Sequence, residues 1–387
     1  MSLLAPPLSL YVHMPWCVKK CPYCDFNSHG LRGVPPYEGY IDALLADLDA
    51  DLRDFGRALH GRPVVSVFFG GGTPSLFSPG LVGRFLDGAR DRLPFEDDLE
   101  VTLETNPGTV EHGRFDGYLK AGVNRISFGI QSFDDDKLRR LGRIHSAAEA
   151  SDAVRQAQDA GYANINLDLM YALPQQTLEG ALDDVDRAIA LGPTHISHYQ
   201  LTLEPNTAFA ANPPPLPDDD EAWAIQEACE SRLAAGGYRQ YEISAYARDD
   251  RRCAHNLNYW RFGDYLGIGA GAHGKISDAA GGQVHRRWKN RHPNAYLGAA
   301  GTPARIGGDS TIEAAELPFE YMLNALRLVD GVPRVDFVER TGLPAFAIEA
   351  TLASGVARGW LADDPAMLRT TALGQRFLND VIASFLA

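Results

Sequence analysis

Cysteine is scarce in this chain: five in 387 residues, three of them crowded into one short stretch, which is too few and too uneven for a disulfide framework. No uninterrupted apolar run approaches the roughly 18 residues of a membrane-spanning helix. The opening Met-Ser-Leu-Leu-Ala-Pro-Pro has no basic region of the kind that starts a signal peptide. These absences predict a cytoplasmic protein, in a compartment reducing enough to keep thiols free. Positive charge is also short. Lys and Arg total 36 against 50 Asp and Glu, and the formal net charge of -14 argues against nucleic acid or an anionic membrane surface as the main partner. What remains is a chain with 45% hydrophobic residues, 38 Gly and 24 Pro, long enough for one large domain and a smaller one, with many loops.

The densest chemistry lies between Tyr11 and Phe26, where Cys17, Cys21 and Cys24 form a C-x3-C-x2-C run. Three thiolates on one loop can wrap one face of an iron–sulfur cube and leave one iron without a protein ligand. That open iron is what S-adenosylmethionine (SAM) needs if its amino and carboxylate groups are to chelate it, with the cofactor supplying the radical chemistry. The same cysteines also suit a zinc site, with a fourth ligand from His13, Asp25 or His29, or a redox thiol.

Hydrophobic periodicity predicts strands at Leu8–His13, Val64–Phe69, Leu99–Glu104, Arg125–Phe128, Ile165–Leu169 and His195–Leu201. Helical patterns fall between them at Tyr37–Leu59, Pro79–Arg92, Glu111–Ala121, Ala147–Ala160 and Glu179–Leu191. Strands alternating with helices imply a parallel sheet, open or curled into a barrel, and no other repeat is visible. Ligands gather at the C-terminal ends of such strands. Here those ends carry the cysteine loop, Gly70 to Thr73, Glu104 to Asn106, Gln131, Asp168 with Tyr171, and Gln200 to Glu204. A stiff polar connector spans Asn212 to Asp220. Residues 277–312, rich in Gly, Ala and Arg, read as a hairpin plus linker. Residues 313–387 read as a small helical domain, with 359–361 and 368–371 as strands of a wing.

Other motifs carry less. Gly70-Gly71-Gly72-Thr73-Pro74 is not a phosphate loop, because no Lys-Ser/Thr pair follows. Gly269-Ala-Gly271-Ala-His-Gly274 fits G-x-G-x-x-G, yet neither an amphipathic helix nor an acid about twenty residues on follows it, so a flexible or closely packed backbone is the better reading. The basic cluster Arg286 to His292 could attract carboxylates such as porphyrin propionates, although a solvated hairpin explains it as well. A winged tail suggests DNA, but residues 301–387 hold seven Arg and no Lys against eleven acids. Cys229 reads as a small core hydrophobe, and His255, by itself, as a buried hydrogen-bonded histidine.

Five motifs in order now resemble a family: the cysteine loop after a strand, the glycine turn ending Thr73-Pro74, Glu104-Thr-Asn-Pro107, Gly129-Ile-Gln131-Ser-Phe133, and Asp168-Leu-Met-Tyr-Ala-Leu-Pro174. Together they resemble the radical SAM group related to oxygen-independent coproporphyrinogen III oxidase, over nearly the entire chain. The resemblance implies an α/β fold: a partial (β/α)6 radical SAM barrel over residues 1–276, then the 277–312 segment and a small, mainly helical, winged-helix-like domain at 313–387. It implies a [4Fe-4S] cluster on Cys17, Cys21 and Cys24. Tyr11 would lie beside the SAM sulfonium, and Gly71, Gly72 and Thr73 near its methionine portion. Glu104, Gln131 and Asp168 would form its polar pocket, Arg143 would grip its carboxylate, and Tyr23 would offer backbone to the adenine.

Two departures point to a branch. Those oxidases carry a further cysteine two positions after the third, where this chain has Phe26, and a long segment ahead of the cluster, where only sixteen residues precede Cys17. Both features resemble the HemW branch, the radical SAM haem chaperones, whose haem-binding motif matches His255-Asn-x-x-Tyr259-Trp260. The resemblance implies haem as cargo on His255, Tyr259 and Trp260, delivery to haem-requiring proteins such as respiratory enzymes, and dimerisation promoted by the cluster. It adds peripheral contact with membrane proteins and leaves the electron donor open. The alternatives are oxidative decarboxylation of coproporphyrinogen III and an unrelated porphyrin or methyl-transfer radical SAM reaction.

Overall fold

The computed structural model describes residues 3–108, 114–248 and 251–386. Six strands alternate with helices along the parallel sheet: β1 (Leu8–Met14), β2 (Val64–Gly71), β3 (Phe95–Thr105), β4 (Arg125–Gln131), β5 (Ile165–Tyr171) and β6 (His195–Gln200). The helices among them are α1 (Tyr37–Asp54), α2 (Pro79–Arg90), α3 (Phe115–Lys120), α4 (Asp135–Arg140), α5 (Ala147–Asp159) and α6 (Leu178–Leu191). Residues 109–113, where the pattern predicts the start of α3, lie outside the described residues. Local chemistry fixes several of these ends. Ser146 and Glu149 close a capping box at the start of α5, Ser78 accepts from the Leu81 N–H ahead of Pro79, and Gly192 takes the left-handed conformation that ends α6.

After α7 (Asp219–Ala235), itself opened by an Asp218–Glu221 capping box, come β7 (Arg239–Glu242), β8 (Ala245–Ala247) and α8 (Ala254–Trp260). Then follow β9 (Asp264–Ile268), β10 (His273–Asp278), β11 (Gln283–Lys289) and β12 (Ile306–Thr311). Among the described residues these make one 12-stranded sheet in the order β12-β11-β10-β9-β1-β2-β3-β4-β5-β6-β8-β7. The run from β9 through β1 to β6 is parallel, and the strands outside it are antiparallel. The 277–312 stretch is therefore part of the main sheet, not a free connector.

Period-two alternation builds the barrel. Leu8, Leu10, Val12, Val67, Phe69, Val101, Leu103, Ile126 and Phe128 pack outward with Ile41, Leu44, Leu48, Phe85 and Val154 of the helices in one large apolar cluster. The opposite faces of the same strands carry buried Ser9, Ser66, Thr102, Arg125, Ser127, Asn166 and Ser197. The lumen is thus lined by polar groups that must bond one another, because a buried polar atom without a partner costs about 1–3 kcal/mol. They do so across strands: Ser9 Oγ lies 2.7 Å from Ser66 Oγ, and Asn166 Nδ2 donates to Ser127 Oγ at 2.7 Å.

A second apolar cluster holds Tyr321, Met322, Phe337, Ile348, Leu352 and Val381 of the C-terminal helices, and it also draws in Tyr241, Phe262 and Val284. The wing pairs differently from the pattern expected. Met367–Leu368 pairs antiparallel with Val332–Pro333, and residues 359–361 contribute a single bridge from Leu361 to Thr370.

The basic cluster at 286–292 is no solvated hairpin. Lys289 is 1% exposed, bonded to Asp47 and, at 2.7 Å, to Asp51. Arg305 reaches Asp47 at 2.8 Å and Asp51 at 2.7 Å, and Tyr296 Oη donates to Asp47 at 2.8 Å. Arg287 spans Asp51, Asp54 and Asp309, and Arg286 pairs with Glu320. Two opposed rows of charge rivet α1 to the antiparallel extension of the sheet.

Candidate functional site

A cavity of about 500 Å3 opens at the C-terminal ends of the parallel strands. The loop after β1 supplies its three thiols. A two-residue ladder, Trp16–Cys17 beside His29–Gly30, closes that loop, with the Leu31 N–H donating to the Cys17 carbonyl at 2.9 Å. Cys17, Cys21 and Cys24 all line the cavity. Cys24 Sγ lies 3.8 Å from Ser28 Oγ, and Arg143 Nη1 donates to Cys21 Sγ at 3.5 Å. Burial pushes the Cys17 and Cys24 thiols up, so a metal binding there displaces protons.

The opposite wall is polar. Gly71, Gly72, Thr73, Glu104, Gln131, Arg143 and Asp168 all line it, as does Tyr23. At Gly71, φ is +107°, and a Cβ would run into the His13 imidazole. Its N–H donates to Glu104 Oε2 at 3.2 Å. The next two amides are already committed: Gly72 N–H to Met14 O at 2.7 Å and Thr73 N–H to Trp16 O at 2.8 Å, so the glycine turn clamps the cysteine loop. Gln131 sits at φ +73°, a left-handed kink that ends β4 at the cavity. Asp168 accepts from Ser127 Oγ at 3.1 Å and Asn166 Nδ2 at 2.8 Å. Arg143 donates to Gly129 O at 2.6 Å and to Asn106, while its Nε is buried without a partner among the described residues.

Burial, then repulsion from Asp168, raises Glu104 to about 8. Burial also raises Asp168. Two neighbouring carboxyls that resist ionising together, with an unsatisfied guanidinium nitrogen, fit an amino acid that brings a cation and a carboxylate. Three convergent thiols fit an iron–sulfur cluster. In the ligand-free chain the folded state holds a Glu104 proton that the unfolded state has released between its ordinary 4.5 and about 8. Stability therefore falls as pH rises through that window, since the native state binds more protons there. Urea midpoints measured across it should show this slope flattened in Glu104→Gln. An equal slope in both chains would refute the assignment.

Beside this cavity lies a second, of about 580 Å3, whose lining includes Tyr11, His13, Phe26, Gly71, Glu104, Tyr259, Tyr265, His273 and Arg291. Tyr11 faces this side, its hydroxyl 3.0 Å from His13 Nδ1. Tyr259 forms part of the wall, and His255 stands behind it with ring centroids 4.7 Å apart. His255 is 1% exposed, stacks on Phe68 at 4.9 Å, and shares a hydrogen bond of 2.9 Å between Nδ1 and Ser66 Oγ. Its Nε2 is buried without a partner among the described residues, and burial lowers its pKa to about 3. Trp260 points away, its ring 4.4 Å beneath the Arg327 guanidinium against the second core. The structure therefore gathers the cluster candidates and the SAM candidates other than Tyr11 around one cavity, with Tyr11 in the lining of the adjoining one, and divides the haem candidates: Tyr259 in the second lining, His255 buried outside it, Trp260 elsewhere.

Sequence reasoning placed Asn106 at a strand end without a role, and its Nδ2 donates to Thr73 Oγ1 at 2.9 Å; it missed Tyr199, which lines the first cavity. It also missed Ser127 and Asn166, which hold Asp168. The signal was available in the alternation of polar with apolar residues along every barrel strand.

Residues 11–188 match the model of the radical SAM superfamily, and residues 312–377 that of the HemN C-terminal domain. The chain is 50% identical to the protein named heme chaperone HemW of Escherichia coli K12, covering 99% of each. It is 36% identical to the Mycobacterium tuberculosis protein of that name, over 90% of this chain and 88% of the other. The solved coproporphyrinogen III oxidase HemN of Escherichia coli superposes with a TM-score of 0.82 at 23% identity, covering 98% of this chain and 90% of that one, so the two share a fold. The chain belongs to the HemW heme chaperone family of the radical SAM superfamily.

Proposed function

We propose that this chain carries haem: it holds a [4Fe-4S] cluster on Cys17, Cys21 and Cys24, binds SAM in the polar cavity, accepts haem in the adjoining aromatic one, and passes it to haem-requiring proteins such as respiratory enzymes. The observation that carries this reading is the end-to-end 50% identity with a protein named for haem chaperoning. The geometry supports it. Phe26 is 59% exposed and lines both cavities, giving a flat apolar ligand a surface to lie against. When bound, the cluster with SAM supplies electron transfer and radical chemistry. The chain's own residues bind and orient: Glu104 and Asp168 face the SAM cation, Arg143 offers its Nε to the carboxylate, and Gly71 leaves room that a side chain would fill. Ligation by His255, the expectation from its motif, requires its neighbours to move, because the ring is 1% exposed.

In this reading the chain works among the enzymes it loads. Among the described residues no helix is long and apolar enough to cross a membrane, so encounter with membrane-bound acceptors would be peripheral. The test is haem transfer. The reconstituted chain, loaded with one haem and mixed with a haem-free respiratory enzyme, should restore the acceptor's spectrum and activity faster than free haem does. No gain over free haem would reject the carrier. Anaerobic conversion of coproporphyrinogen III to protoporphyrinogen by the same preparation would instead favour the decarboxylase.

A further inference from the structure

The cavity beside the cluster loop contains a candidate iron ligand that the haem motif does not name. We propose that His273 is the imidazole that ligates haem iron there, an inference that rests on the carrier reading above. At about 580 Å3 the cavity lies within the range of small-molecule pockets, about 300–1,000 Å3. Tyr11, Phe26, Tyr259 and Tyr265 give it aromatic walls. Neutral imidazole is a common metal ligand, and three histidines lie in or near these walls. His13 has both ring nitrogens occupied, Nδ1 by Tyr11 Oη at 3.0 Å and Nε2 by Asn27 O at 2.9 Å. His255 is 1% exposed and absent from the cavity lining, whereas Tyr259, its ring centroid 4.7 Å away, is part of it.

His273 is exposed, lines the cavity, and has no side-chain hydrogen bond among the described residues, so its nitrogens are open to a ligand. Its ring stacks on Trp288, centroids 5.9 Å apart at 18°, which fixes the plane from which it would address an iron. The backbone beneath it is held just as firmly. A Cβ on Gly269 would strike the His13 carbonyl, and one on Gly271 would strike the Asn27 amide. The glycine run that resembles a dinucleotide motif is thus the tight turn that seats His273 against the cluster loop. Arg291, also in the lining, offers a guanidinium to a propionate. The haem motif then serves as backing: His255 props Tyr259, which packs edge-on against Tyr265 at 4.3 Å.

Titration of ferric haem into the anaerobically reconstituted full chain, followed by Soret absorption and electron paramagnetic resonance, tests this. His273→Ala should weaken haem binding about tenfold or more and remove the imidazole-ligated signature, with cluster content unchanged. Free imidazole should restore that signature. Arg291→Ala should weaken binding without changing the spectrum, and His255→Ala should leave the spectrum as it is. Wild-type affinity and spectrum in His273→Ala overturn the ligand assignment alone. Failure of the unmodified chain to take up stoichiometric haem overturns the carrier reading, and the assignment with it.

Discussion

Cys21→Ala should leave the chain unable to hold its cluster after anaerobic reconstitution, with iron and sulfide content and visible absorption falling to background. Two thiolates cannot hold a cube that already lacks one protein ligand, so the loss should be complete and the same for Cys17→Ala and Cys24→Ala. The fold should survive in Cys21→Ala. Cys21 is only part-buried, and the loop is closed by the backbone ladder between Trp16–Cys17 and His29–Gly30, which does not use its thiol. Near-wild-type circular dichroism with no bound iron is the expected pair of results. A variant that retains a full cluster would return Cys21 to the redox or structural readings. Haem uptake by this clusterless variant gives a second measurement, because the two cavities share Gly71 and Glu104 in their linings.

The largest stability effect should come from Asp47. It is fully buried and takes hydrogen bonds from Lys289, Arg305 and Tyr296. Removing one partner of a buried ion pair leaves the others uncompensated in a low-dielectric interior, at a cost of about 3–5 kcal/mol. Asp47→Asn should therefore shift the urea midpoint strongly. Asp152→Asn, which breaks a helix-surface pair with Arg155 in which both side chains are 62% exposed, should cost under about 1 kcal/mol. Equal midpoints for the two variants would show that the network contributes no more than a surface pair. Replacing Asp47 and Lys289 together by apolar residues of similar size should recover part of the loss, since the desolvation of both charges is then avoided.

The six barrel strands were legible because each presents an apolar face to the helices, and Val67, Phe69, Val101 and Leu103 announce that face by themselves. The cluster loop was legible for another reason: three cysteines at close spacing are rare enough to carry their meaning locally. What could not be read was whatever depends on distant partners. Lys289 reads as part of a solvated basic run until Asp47 and Asp51, more than two hundred residues earlier, are seen to enclose it. Likewise residues 277–312 carry a composition of Gly, Ala and Arg that suggests a hairpin and linker, and only the successive pairing of β12 on β11, β11 on β10 and β10 on β9, itself beside β1, joins them to the main sheet. His255 reads by itself as a buried, hydrogen-bonded histidine, but the groups that bury and bond it, Phe68 and Ser66, lie on a strand far away in sequence.

Asn27 ties the two halves of the site together. Its side-chain amide donates to the Ala270 carbonyl at 2.9 Å and to the Arg291 carbonyl at 2.8 Å, while its own carbonyl meets His13 Nε2. The cysteine loop and the turn before β10 are therefore not interchangeable modules. A chimaera that imports a relative's loop without a matching amide at position 27, or a relative's turn without glycines at 269 and 271, would join two surfaces cut to different templates. Inheritance faces the same constraint, so the cluster-binding and cargo-facing segments should change together when this family diverges.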